Sequence, residues 1–145
     1  MSTVASIIAR LSSAVPPAFA IVEGATEWAA VSNGVPTALP AAYVMTLREA
    51  SEASERMTGP ILQRMEADIA VVLVTSNVSD VAGGAVSADI EELKKWTRAR
   101  LIGFTPVGSD EPLQHVSGEL LKAKNGVVWH EEVVGAATYL EEQQS

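Results

Sequence analysis

The stretch ILQRMEADIAVVLVTSN, residues 61–77, is the longest strand candidate in the chain and decides its class. Its first half alternates, with Ile61, Gln63, Met65, Ala67 and Ile69 on one side and Leu62, Arg64, Glu66 and Asp68 on the other. Successive side chains of a strand point to opposite faces, so this half reads as a strand with two different surfaces. From Ile69 to Val74 both sides are apolar, as in a strand covered on both faces. The segment is therefore placed at the centre of a sheet.

Working outward, LQHVSGELLKAK (113–124) and VVWHEEVVGAATYLEE (127–142) flank Asn125-Gly126. Asn-Gly between apolar alternations predicts a tight hairpin. PAAYVMTLRE (40–49) reads as a further strand, with Tyr43, Met45 and Leu47 on one face and Val44 and Thr46 on the other; AFAIVEGA (18–25) reads as a short one. Between strands lies ASEASERMTGP (50–60), a polar excursion, and VSDVAGG (78–84) is a loop.

Helical spacing appears in two long segments. Val4, Ile7, Ile8, Leu11 and Val15 form one apolar stripe, with Ser2 or Thr3 as its cap and Pro16-Pro17 as its end. Val86, Ile90, Leu93, Thr97 and Leu101 form the stripe of the second, over 85–104, capped by Ser87 or the preceding loop and stopped by Gly103. TEWAAVSNG (26–34) adds one or two helical turns capped by Thr26 and ended at Asn33-Gly34. Hairpins outnumber crossovers in this order, which predicts an α+β fold: a mostly antiparallel sheet with the two main helices packed on one face. The expected organisation is a single domain over residues 1–145, with the polar loop at about 50–60 and a flexible tail from about 141.

Composition narrows the function. The chain has 145 residues, 48% hydrophobic, and no cysteine, which removes disulfides and cysteine zinc sites. A net charge of −8 argues against a specific nucleic-acid binder, whose footprint is basic. The N-terminal apolar run is interrupted by Ser2, Thr3, Ser6 and Arg10, and no segment approaches the ~18 uninterrupted apolar residues of a membrane span. A soluble protein made in the cytoplasm, with no membrane partner and no cofactor, is expected.

Residues able to carry chemistry are few. His115 and His130 are the candidate general bases, each in a strand among apolar residues; alternation puts His115 with Leu113 and Ser117, and His130 with Val128. Satisfied strand histidines explain them more simply than a small hydrolase using Asp110 or Glu111. Glu131 and Glu132 are neighbours in a strand and point apart, and Asp110-Glu111-Pro112 reads as a turn whose aspartate bonds local amides. Gly83-Gly84 lacks a phosphate-loop pattern. Lys94, Lys95, Arg98 and Arg100 form the basic cluster, either a solvated face or a contact with an acidic neighbour such as another copy. Trp96, beside the apolar stripe of its helix, reads as an interface anchor.

Five segments in order resemble the phage tail terminator proteins, and among them the minor tail proteins of Mu-like and related phages: VEGATEWAAV (22–31), PAAYVMTL (40–47), MEADIAVVLVTSNVSD (65–80), LIGFTPVGSDEPLQHVSGELL (101–121) and VVWHEEV (127–133). The most specific is 101–121, where a helix end is followed by an aromatic, Thr-Pro, Gly, Asp-Glu-Pro-Leu, then Gly and two apolar residues. Phe104 stands where the family usually has Trp. The resemblance implies a non-enzymatic virion protein: a six-fold ring that caps the tail tube, ends its polymerisation and meets neck or head-completion proteins. In a contractile tail it also meets sheath protein. Another neck or head–tail joining protein is the alternative. Interface candidates on this view are Glu49, Glu52, Glu55 and Arg56 for axial contacts, with Trp96 and Arg98 for lateral ones.

Overall fold

A computed structural model describes residues 1–31, 33–76 and 85–143. The element order is α1 (Thr3–Ser12), β1 (Ile21–Glu23), α2 (Ala25–Val31), β2 (Ala41–Ser51), β3 (Leu62–Ser76), α3 (Ala85–Leu101), β4 (Gln114–Lys124) and β5 (Val127–Glu141). Five strands form one mixed sheet in the order β1-β2-β3-β5-β4. Only the β1–β2 pairing is parallel, so the fold is α+β with a mostly antiparallel sheet.

β3 holds the middle of that sheet, and Ile69 to Val74 are all buried, as the two-sided apolar run requires. Its two faces feed two clusters. Ile69, Val71 and Leu73 meet Ile7 and Leu11 of α1, Ile90 and Leu101 of α3, and Val134 of β5. Val72 and Val74 join Tyr43, Trp129 and, at the margin, Trp28 and Val31 of α2. Asn125 and Gly126 both have positive φ, 53° and 75°, and close the β4–β5 hairpin as the Asn-Gly pair predicts.

Helix ends follow local chemistry. Ser2 caps α1 by accepting a hydrogen bond from the Ala5 N–H at 3.1 Å. Thr26, expected as the cap of α2, lies inside it. Gly24 occupies the cap position, and the Glu27 carboxylate accepts from the Gly24 N–H at 3.1 Å, the reciprocal half of a capping box. Ser87 likewise lies within α3, whose start precedes it. The expected loop at 78–84, with Gly83-Gly84, is outside the described residues. Gly103 ends α3 at φ +87°, its N–H donating to Leu113 O at 2.9 Å.

β2 continues through Ser51, so Glu49 is a strand residue and the polar connection occupies 52–61. That connection is tied to β3: the Leu62 N–H donates to Ser54 Oγ at 3.2 Å and the Gln63 side-chain amide to Glu52 O at 2.9 Å.

Candidate functional site

Glu132 is the best-connected polar side chain of the sheet. β5 points Glu131 and Glu132 to opposite faces, Glu131 beside Val72 and Glu132 beside Val71. Glu132 is only 1% exposed. Arg98, reaching down from α3, donates through Nε to Oε2 at 2.9 Å and through Nη2 to Oε1 at 2.7 Å. His130 Nε2 lies 2.7 Å from Oε1 and His115 Nε2 2.7 Å from Oε2. Each carboxylate oxygen has room for about two hydrogen bonds, and both are filled.

Burial pushes the Glu132 carboxyl up, but the bonds from His130, Arg98 and His115 outweigh it and hold the group at about 2. It is therefore a fixed negative charge at neutral pH, tying α3 to both strands of the hairpin. Among the described residues no group of three or more His, Asp or Glu is placed to hold a metal ion.

Gly118 makes the packing possible. It pairs directly with Glu132, and a Cβ there would sit 2.8 Å from Glu132 Oε1, 3.2 Å from Arg98 Nη2 and 3.3 Å from His130 Nε2. A lone glycine inside a strand marks a close approach, here of a side-chain cluster. The pairing slips between His115 and Ser117, with Val116 as the extra residue. His115 and Gly118 therefore share a face, and Ser117 turns to the other, unlike the strict alternation expected of this strand.

The connector after α3 is a second clamp. Asp110 does not bond local amides: its Oδ2 accepts from the Tyr139 N–H and the Thr138 hydroxyl, both at 2.8 Å. Those two bonds hold its carboxyl below the usual range. Glu111 takes a two-pronged contact from Arg64 of β3, at 2.8 and 3.2 Å, and the Tyr139 hydroxyl at 2.7 Å. The hydrogen bonds from Arg64 and then Tyr139 hold Glu111 at about 2. Arg64 also meets Glu66. The loop thus pins the far ends of β3 and β5 together.

The predicted interface residues are placed as follows. Glu49 is exposed on β2, and Glu52 and Glu55 are exposed along the connection to β3. Arg56 of that connection donates to Pro60 O at 3.2 Å and lies 3.8 Å from Glu141. Trp96 packs edge-on against Phe19, centroids 5.6 Å apart, and forms one wall of an open cleft of about 550 Å³ with Leu39, Pro40 and Leu93. Arg98, expected to face a neighbour, has its guanidinium engaged by Glu132 within the chain. Sequence reasoning gave no surface role to Leu47, Val116, Leu120 and Leu121, which the structure leaves 49%, 51%, 58% and 41% exposed on β2 and the edge strand β4. Their alternation carries no signal of this, because each strand contains a bulge that alternation does not register.

Comparison with known proteins completes the picture. The family described as phage tail terminator protein matches residues 1–137. No curated protein matches the chain. Among solved structures, a chain from the virion of a native gene transfer agent particle aligns with a TM-score of 0.55 and 16% identity. The alignment covers 96% of each chain, a likeness of fold.

Proposed function

Because the chain belongs to the phage tail terminator protein family, a structural component of the phage tail, we propose that six copies close into a ring at the head-proximal end of the tail tube. The ring ends tube polymerisation and offers its other surface to neck or head-completion proteins, and to sheath protein where the tail contracts. Assembly takes place in the host cytoplasm. The observation that carries this is the extent of the family match, which runs through α1 to most of β5.

Three features support the reading. The joint cluster of α1 and α3 residues favours both main helices lying on one face of the sheet, leaving the sheet edges and the 52–61 connection for contacts. Glu49, Glu52, Glu55 and Arg56 are our axial candidates, toward the tube. Trp96 and Arg98 are our lateral candidates; the Arg98 side chain stays 42% exposed while its guanidinium bonds Glu132. A net charge of −8 suits a ring through which DNA passes without sticking. The histidines serve as donors to Glu132, so we assign them no catalytic step.

Tube subunits polymerised with and without the purified chain test the proposal. Tubes of bounded length carrying a terminal ring are expected with it, and unbounded tubes without it. Tubes that grow equally in both cases, with the chain bound only to neck proteins, refute capping and favour a head–tail joining role. Replacement of both His115 and His130 by Gln in a chain that still folds is expected to leave capping intact; its loss would reopen a catalytic reading.

A further inference from the structure

Two outer edges of the sheet are open along most of their length. β1 covers β2 only at Ala41, Ala42 and Tyr43, so Met45–Ser51 has no outer strand among the described residues. At the opposite end, β4 pairs with β5 alone among the described residues, and all eleven of its residues are exposed. Open edges normally carry charge, proline or a bulge that spoils further pairing. Here the three bulged positions carry Leu47 on β2 and Val116 and Leu121 on β4, each a large, exposed apolar side chain. A bulge re-aims the extra side chain. Charge is present on both edges too, Arg48 and Glu49 on β2 and Glu119, Lys122 and Lys124 on β4, so each edge offers exposed apolar surface beside charges of both signs.

We infer that the two edges are complementary and that β4 of one copy adds as a strand to Met45–Ser51 of the next. β2 and β4 run in opposite directions within the sheet, since β2–β3, β3–β5 and β5–β4 are each antiparallel. Continuing the sheet from copy to copy by rotation about an axis roughly along the strands therefore joins them antiparallel. One register sets Arg48 against Glu119, Leu47 against Leu120 and Glu49 against Gly118. In that register the faces agree. Arg48, beside Asp68, and Glu119, beside Glu131, both lie on the face of Val72. Glu49, beside Ala67, and Gly118, beside Glu132, both lie on the face of Val71, which moves Glu49 from the axial set into the lateral contact and leaves Glu52, Glu55 and Arg56 axial. Met45 and Lys122 share the Val72 face as well, because the bulges at Leu47 and Leu121 fall at adjacent positions of the register, opposite Leu120 and Thr46, and cancel. Such a contact joins two different surfaces of one chain, the kind that closes a ring. The inference rests on the ring reading for the number of copies, and on the edges themselves for the contact.

The test uses full-length chain, Leu47→Arg, and the pair Val116→Arg with Leu121→Arg, followed by sedimentation velocity and native mass spectrometry. All three side chains are exposed, so unchanged circular dichroism and urea midpoints are expected. Wild type is expected to form species heavier than a monomer, and each variant alone to lose them. Mixed one to one, the variants are expected to yield a heterodimer and nothing larger, because each retains the edge the other lacks. Wild type that stays monomeric at all concentrations, variants that assemble like wild type, or a mixture without heterodimer overturns the inference. Hydrogen exchange on wild type gives an independent reading: amides within 45–51 and 114–124 are expected to slow on assembly, and unchanged rates there overturn it too. A ring assembled through other surfaces that still caps tubes removes the edge assignment and leaves the terminator reading; edge-driven assembly without capping does the reverse.

Discussion

Replacement of Glu132 by Gln isolates the clamp between α3 and the β4–β5 hairpin. In the folded chain this carboxyl is held at about 2, against an ordinary value of 4.5. A depression of that size corresponds to about 3 kcal/mol of preference for the ionised, bonded form. Independently, removing one partner of a buried, hydrogen-bonded ion pair costs about 3–5 kcal/mol, and the 42% exposure of the Arg98 side chain places this one at the lower end. Both routes lead to a Glu132→Gln chain about 3 kcal/mol less stable at pH 7. The folded value is the lower one, so this stability is fully present above about 4.5 and is lost as pH falls toward 2. Urea unfolding of both proteins at a series of pH values from 7 to 2.5 measures it. Glu111, Asp110 and Glu91 are also held below their ordinary values, so both proteins lose stability in acid. Those contributions cancel in the difference between them. The gap is expected to be about 3 kcal/mol down to pH 5 and to narrow steadily below it. A gap under about 1 kcal/mol at neutral pH, or one that does not change between pH 5 and 2.5, refutes the assignment of Glu132 as a charged clamp.

Gly118→Ala places a methyl 2.8 Å from Glu132 Oε1, an oxygen held on two sides by Arg98 and His130. A loss of about 1–3 kcal/mol is expected in urea unfolding, and the loss should be smaller in an Arg98→Ala background, where the carboxylate can move; strict additivity argues against the contact. Gly126→Val forces a branched residue to φ near 75° in the hairpin turn, and a decrease of about 1–3 kcal/mol in unfolding free energy measures that strain. Asp110→Ala removes the acceptor of the Tyr139 N–H and the Thr138 hydroxyl. Faster amide exchange at Tyr139, with the core of β3 unaffected, is the expected result; a global change would mean the connector does more than pin the strand end.

Much of the fold was legible because burial on two sides leaves a plain mark. Ile69 to Val74 had to be central, and Asn125-Gly126 had to be a hairpin, since positive φ at both turn positions suits those residues. The cap of α2 was misplaced because Glu27 reaches back to Gly24, a bond that a Thr-first rule overlooks. The clamp was partly within reach. Once the hairpin is drawn, counting from the turn brings His130 and Glu132 beside the middle of β4, and a lone glycine in a strand already signals a close approach. What could not be counted was the slip at Val116, a property of the pair of strands and not of either one. Together with the slip at Leu121 it sets Gly118 and His115 on the face of Glu132 and Ser117 on the other. Asp110 was beyond local rules for a similar reason, because its partners lie 28 and 29 residues downstream.

A strand with every residue exposed is held in place by its neighbours or not at all. β4 has no outer partner among the described residues, yet it is fastened on both faces. On one face Arg98, Glu132 and His115 connect it to α3 and β5. On the other, the Lys122 ammonium stands 4.3 Å from the centre of the Trp129 ring. The charged clamp therefore fastens the β4 edge to α3 and β5. A surface ordered before contact loses less conformational freedom on binding, so affinity per unit area rises. That gives a physical reason for placing an ion network around a buried carboxylate, an unfavourable element in a protein core by itself, directly beneath a bulged strand edge. Stability alone would be served as well by replacing the whole cluster, Glu132 with Arg98, His115 and His130, by apolar side chains of similar volume. Geometry of the edge would not.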